Sequence, residues 1–166
     1  WNVVSNEPLT LFDTPIGKIG VVICYDSEFP LLSRALIDAG AEILLAPSCT
    51  ETMAGFTRVR LGAMGRALEN QCITVHSPTV GPCDFCPPVE ENHGSAAIYG
   101  PPDRGFPANG IFAETPYDVP GWAYAEVDLA AIHELRRDAR LTGVRAQRRE
   151  YYGDPAVTGS SVGPAT

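Results

Sequence analysis

The segment from Lys18 to Ser48 restricts the fold more than any other part of the chain. Val21, Val22 and Ile23 are β-branched and apolar in succession, the pattern of a strand covered on both faces. The pattern stops at Cys24, where Tyr25, Asp26 and Ser27 break it. Phe29-Pro30 then opens a stretch in which Leu31, Leu32, Ala35, Leu36 and Ile37 fall at helical spacing, and Gly40 is a natural stop. A second buried strand follows over Glu42–Ala46 and is expected to end at Pro47. Strand, helix, strand is the crossover unit of a parallel sheet, so the chain reads as α/β. It places Cys24 and Ser48 at neighbouring carboxyl ends of parallel strands, the edge at which open α/β sheets bind ligands.

That placement gives Cys24 a chemical meaning. The strand fixes the backbone, the turn presents the side chain, and a nearby helix N-terminus favours the thiolate. The loop Ser48-Cys49-Thr50-Glu51-Thr52 is open to two readings: a pocket wall whose small hydroxyls orient a substrate amide, or a capped entry to the next helix.

ICYDSEFP with Arg34, then GAEILLAPS over residues 40–48 and GRALENQC over 65–72, resembles the nitrilase, or carbon–nitrogen hydrolase, superfamily. The resemblance runs from about Leu9 to Tyr152. It implies an α-β-β-α sandwich that hydrolyses amides, nitriles or carbamoyl groups with a Cys nucleophile, a Glu base and a Lys. By that resemblance Cys24 is the nucleophile and the backbone N–H of Tyr25 an oxyanion donor, with Ser48, Cys49 and Thr50 as substrate-binding positions. The family's Glu and Lys belong to segments that precede this strand. Residues 1–153 are therefore expected to be the C-terminal portion of such a domain, completed by an N-terminal segment absent from the chain, with 154–166 a flexible tail. Cys-Tyr-Asp followed by Phe-Pro resembles amidase-like members more than nitrilases proper, so the implied substrate is a small-molecule amide. The mechanism needs no metal or organic cofactor. Two alternatives are a non-catalytic interaction half-domain and an acyltransferase that keeps the thioester.

The residues themselves offer no substitute for the family's Lys. Lys18, the only lysine, lies six residues before Cys24, about 20 Å along an extended strand. Glu28 and Glu51 are the nearby carboxylates, more simply read as exposed turn residues than as a base. Asp26 and Arg34 read as a structural pair on the elbow and its helix. Arg66 and Glu69, three apart on the helix expected over Gly55–Asn70, read as partners of each other, with Val59, Leu61, Met64, Ala67 and Leu68 facing inward. Cys72–Ser77 is a third core strand.

Cys83 and Cys86, flanked by His76 and His93, make a Cys2His2 metal site conceivable, but the wide His spacing favours an ordinary loop. Either His as a base for Cys24 is a further alternative. Ser95–Tyr99, Gly110–Ala113 and Trp122–Val127 read as short antiparallel strands, and Asp128 as the N-cap of a helix over Leu129–Arg137. Half of the twelve cationic side chains fall between Arg136 and Arg149, where interleaved acids make a salt-bridged face, with a dimer interface implied by the resemblance.

A net charge of -8 disfavours a nucleic-acid partner, because phosphates are repelled at long range. No apolar run approaches the roughly 20 residues that span a bilayer, so no membrane partner is expected. Five cysteines without framework spacing fit a reducing, cytoplasmic setting. A homodimer or larger homo-oligomer is expected.

Overall fold

The computed structural model describes residues 8–138. Its strands are β1 (Leu11–Thr14), β2 (Gly17–Val21), β3 (Ile43–Ser48), β4 (Ile73–Pro78), β5 (Ala97–Tyr99) and β6 (Ile111–Glu114), and its helices are α1 (Pro30–Asp38), α2 (Met53–Asn70) and α3 (Leu129–Asp138). The strands form one mixed sheet in the order β1-β2-β3-β4-β5-β6. β2, β3 and β4 are parallel, and the remaining neighbours are antiparallel. The two crossovers carry α1 and α2, as the periodicity requires.

One sheet face is closed. Gly20, Val22, Leu44, Ala46, Thr74, His76, Ala97 and Tyr99 are buried on it. Gly20 lets α1 approach closely: a Cβ there would lie 2.9 Å from Leu36 Cδ1 and 3.1 Å from Leu44 Cδ2. Ala63 and Ala67 of α2 pack with Ala97 and Tyr99. The opposite face is different. Ile19, Val21, Ile43, Leu45, Val75 and Ile98 are only half-buried there, and Phe12 is exposed. An apolar face of this extent is normally covered by a second layer.

The helix α3 closes the edge of the sheet away from Cys24. Ile132 is fully buried, and Arg136 donates to the carbonyls of Gln71 (2.9 Å) and Ala41 (3.2 Å), just before β4 and β3. His133 pairs with Glu42, whose other oxygen accepts from the Lys18 N–H at 2.7 Å. Asp128 Oδ1 accepts from Ala130 N at 2.8 Å, as an N-cap should.

Three expectations need correction. β3 does not end at Pro47 but pairs with β4 through Ser48. Its pairing with β2 stops at Leu45, so Pro47 occupies a local edge where its missing N–H costs no ladder bond. Trp122–Val127 is not a strand. Trp122 and Tyr124 are about 80% exposed (82% and 79%), so no buried face drives their pairing. On α2, Leu61 and Leu68 face solvent at 60% and 53% exposure, while Phe56, Ala63 and Arg66 are buried. The helix also starts two residues early, at Met53, capped by Thr52 Oγ1 on Gly55 N (3.1 Å). No described helix is long and apolar enough to cross a membrane. The tail, and the basic stretch beyond Asp138, lie outside the described residues.

Candidate active site

The nucleophile candidate sits on a strained elbow. Cys24 has φ +46°, left-handed backbone that a non-glycine residue adopts at a cost of about 1–3 kcal/mol. The strain is held from several sides. Ser27 Oγ donates to the Cys24 carbonyl at 2.7 Å, Asp26 N donates to the Ile23 carbonyl at 2.9 Å, and Ile23 N donates to Asp26 Oδ2 at 3.2 Å. The elbow continues as one 3-10 turn, Cys24–Glu28, immediately before α1. The first N–H groups of such a turn, Tyr25's included, have no partner within it. Arg34 of α1 reaches the Glu69 carbonyl at 3.2 Å and so ties α1 to the end of α2.

Helix α2 supports the turn from beneath through two residues. Gly62 is bare where it must be, since a Cβ would lie 2.7 Å from the Ser27 carbonyl oxygen and 3.1 Å from Glu28 Cα. Arg66, 8% exposed, donates through Nη1 to that same carbonyl at 3.3 Å, and its Nε lies 2.7 Å from Glu69 Oε1. The expected Arg66–Glu69 pair is present, and through Arg66 it also brackets the elbow.

The thiol faces a cleft of about 380 Å³, lined among others by Tyr25, Glu28, Cys49, Thr50, Arg58 and Val89. Cys24 Sγ donates to the Cys49 carbonyl at 3.6 Å. Of the expected substrate-binding positions, Cys49 and Thr50 line this cleft, while Ser48 is turned into the core. Ser48 Oγ bonds His76 Nε2 at 2.9 Å, Thr50 Oγ1 donates to the His93 carbonyl at 2.7 Å, and Cys49 Sγ donates to Asn92 Oδ1 at 3.0 Å. Glu51 is an exposed carboxylate on the rim, as read from the sequence, but Glu28 is not exposed: its side chain is 17% accessible and its Oε2 lies 3.5 Å from Arg58 Nε. Lys18 is not near this cleft. It is the second residue of β2, at the sheet edge held by α3.

Asn92 organises the cleft wall and has no signature in the sequence. Only 5% exposed, it accepts from Cys49 and Thr79 (2.7 Å) and donates to the carbonyls of Gly81 (3.1 Å) and Val89 (2.8 Å). One side chain thereby fixes the 79–92 loop, with Val89 in the cleft wall, to the loop after β3.

The histidines are committed elsewhere. His93 Nδ1 pairs with Asp118 Oδ2 at 2.8 Å, and His76 stacks on Phe56 at 5.7 Å. Among the described residues no group of three or more His, Cys, Asp or Glu side chains is placed to hold a metal ion. Burial pushes the Cys72 thiol up to about 11, which leaves it inert at neutral pH. Burial, and then the nearby Arg60 charge, push His76 down to about 4 from 6.5. The sign of its effect on stability follows. Between pH 6.5 and 4 the unfolded chain binds a proton that the folded chain refuses, so stability held at neutral pH falls as pH drops through this window. The loss is about 1 kcal/mol per pH unit. Urea unfolding at stepped pH checks it: His76→Gln should remove that part of the slope between pH 6.5 and 4, and above pH 7 the two slopes should agree.

The family profile described as "Carbon-nitrogen hydrolase" matches residues 4–137. The chain is 36% identical over 152 residues to "Probable hydrolase YhcX" of Bacillus subtilis, covering 92% of this chain and 30% of that protein. It is 35% identical over 141 residues to the human "Deaminated glutathione amidase", covering 85% of this chain and 39% of that protein. Among solved structures, Nit3 of Saccharomyces cerevisiae, a member of branch 10 of the nitrilase superfamily, superposes with a TM-score of 0.68 at 29% identity, over 86% of this chain and 49% of that one. The NitFhit protein of C. elegans gives a TM-score of 0.72 at 28% identity, over 90% and 33%. The chain thus spans from under a third to about half the length of these relatives. Its fold is the nitrilase α/β fold, and it belongs to the carbon–nitrogen hydrolase family.

Proposed function

We propose that the protein of which this chain is part hydrolyses the carbon–nitrogen bond of a small amide through a thioester on Cys24. The observation that carries the reading is the thiol itself, held at φ +46° where a core strand ends and facing a cleft of about 380 Å³. A base takes the thiol proton, and the thiolate attacks the amide carbonyl carbon. The C–S bond forms as the carbonyl electrons move to oxygen, where the Tyr25 N–H stabilises the oxyanion. The oxyanion collapses, the C–N bond breaks, and the protonated amine or ammonia leaves a thioester. Water, activated by the same base, then releases the acid and the thiol.

Glu28 is a poor choice for that base, because Arg58 already engages it. The Glu and Lys come instead from a part of the protein outside this chain. The half-buried apolar face of the sheet supports that arrangement, since it has the character of a surface made to be covered. An amide is favoured over a nitrile by the Cys24-Tyr25-Asp26 sequence and by the name of the amidase relatives. The test is ammonia release from small aliphatic amides by the whole protein, compared with its Cys24→Ala variant. Release that survives the substitution would sink the mechanism.

A further inference from the structure

We propose that Cys83 and Cys86 form a reversible disulfide that stiffens the wall of the Cys24 cleft. The co-reactant is a small disulfide such as oxidised glutathione, and the proposal stands whether or not Cys24 is the nucleophile. The two residues end one tight turn: Cys86 N donates to the Cys83 carbonyl at 2.9 Å, with Asp84 and Phe85 between them. A turn closed in this way holds its end Cα atoms within about 7 Å, and a disulfide spans Cα atoms about 4.4–6.8 Å apart. Both thiols are free and half-buried, and Phe85 beside them is almost fully exposed, so a small oxidant reaches the turn from solvent.

The backbone couples this turn to the cleft. Cys83 N donates to the Glu90 carbonyl at 2.9 Å, and Val89 N donates to the Cys86 carbonyl at 2.9 Å. Cys86 leads directly into the 3-10 turn Pro87–Val89, and Val89 lines the cleft. Freedom lost at the turn is therefore lost at the wall. The other thiols are engaged elsewhere: Cys72 is buried, Cys49 donates to Asn92, and Cys24 donates to the Cys49 carbonyl. Burial first, and then the Cys86 and Cys49 thiols and the Asp84 carboxylate, push the Cys83 thiol up. A stabilised thiolate favours the reduced form of such a couple, so its absence at Cys83 favours the disulfide. In the exchange, one Cys thiolate attacks a sulfur of oxidised glutathione and releases one glutathione. The second Cys then displaces the other, forming the Cys83–Cys86 bond. The protein gives up two protons and two electrons, and the oxidant becomes two thiols.

The experiment equilibrates the whole protein with buffers of oxidised and reduced glutathione, and follows it by peptide mass spectrometry and hydrogen exchange. The peptide that holds both residues should lose two hydrogens under oxidised glutathione and regain them under reduced glutathione. Exchange of the Cys83–Val89 amides should slow at least about tenfold in the oxidised protein. In Cys86→Ser the internal link should be lost, Cys83 should carry a glutathione instead, and exchange should stay fast. Stable glutathione adducts on both residues of the wild type, or a link from Cys83 to Cys49, would overturn the pair. An internal disulfide that leaves exchange over Cys83–Val89 unchanged would overturn its coupling to the cleft wall, and with it the proposal.

Discussion

Cys24→Ala is expected to abolish amide hydrolysis, by at least about 10⁴-fold in kcat, and to leave the fold in place. The two halves of this expectation have separate causes. Without sulfur there is no thiolate to form the acyl intermediate, and neighbouring thiols do not substitute. Cys49 is tied to Asn92, and Cys72 is buried with its thiol pushed up to about 11. The fold survives because the turn is held by Ser27, Asp26 and the backbone, and Cys24 Sγ adds only one long contact to the Cys49 carbonyl. Alanine carries the same left-handed penalty as cysteine at φ +46°. Unfolding curves of the two proteins should therefore nearly overlay while ammonia release disappears from one.

The second large effect is expected at Arg66. Arg66→Met should destabilise the protein by about 2–4 kcal/mol, less than the full cost of breaking an enclosed ion pair because Glu69 is partly solvated. The substitution removes the Arg66 donor to the Ser27 carbonyl and the Arg66 charge beside Glu69, both under the elbow. Since the elbow holds Cys24 in strained backbone, activity should fall well before the protein unfolds. The urea midpoint gives the first quantity, and kcat far below that midpoint gives the second. Full activity with a lowered midpoint would show that the bracket supports the fold without shaping the site.

The strands around Cys24, both crossover helices and the Asp128 cap were legible because each depends on residues near one another in sequence. Val21–Ile23, the abrupt change at Cys24 and the apolar spacing of α1 are local signals, and they survive folding unchanged. The parts that were not legible depend on residues brought together from afar. Arg66 looks like an ordinary charged helix position until Ser27, 39 residues earlier, is placed against it. Gly62 looks like a weak point in a helix until its missing Cβ proves to be the space the turn occupies. Ser48 looks like a pocket hydroxyl until β4 sets His76 behind it. Asn92 sits in a polar loop whose composition hides that its side chain makes four bonds. Trp122–Val127 erred the other way: aromatic and β-branched residues imitated a strand, but they lie exposed, with no face to bury.

The central claim is covalent catalysis at Cys24, and rapid acid quench followed by peptide mass spectrometry tests it most directly. The whole protein is mixed with excess amide and stopped across its first turnover. The predicted result is a Cys24 peptide heavier by the substrate less ammonia, rising and then decaying as the free acid appears. Acid and ammonia accumulating through that turnover while the Cys24 peptide stays unmodified at every quench time would contradict it.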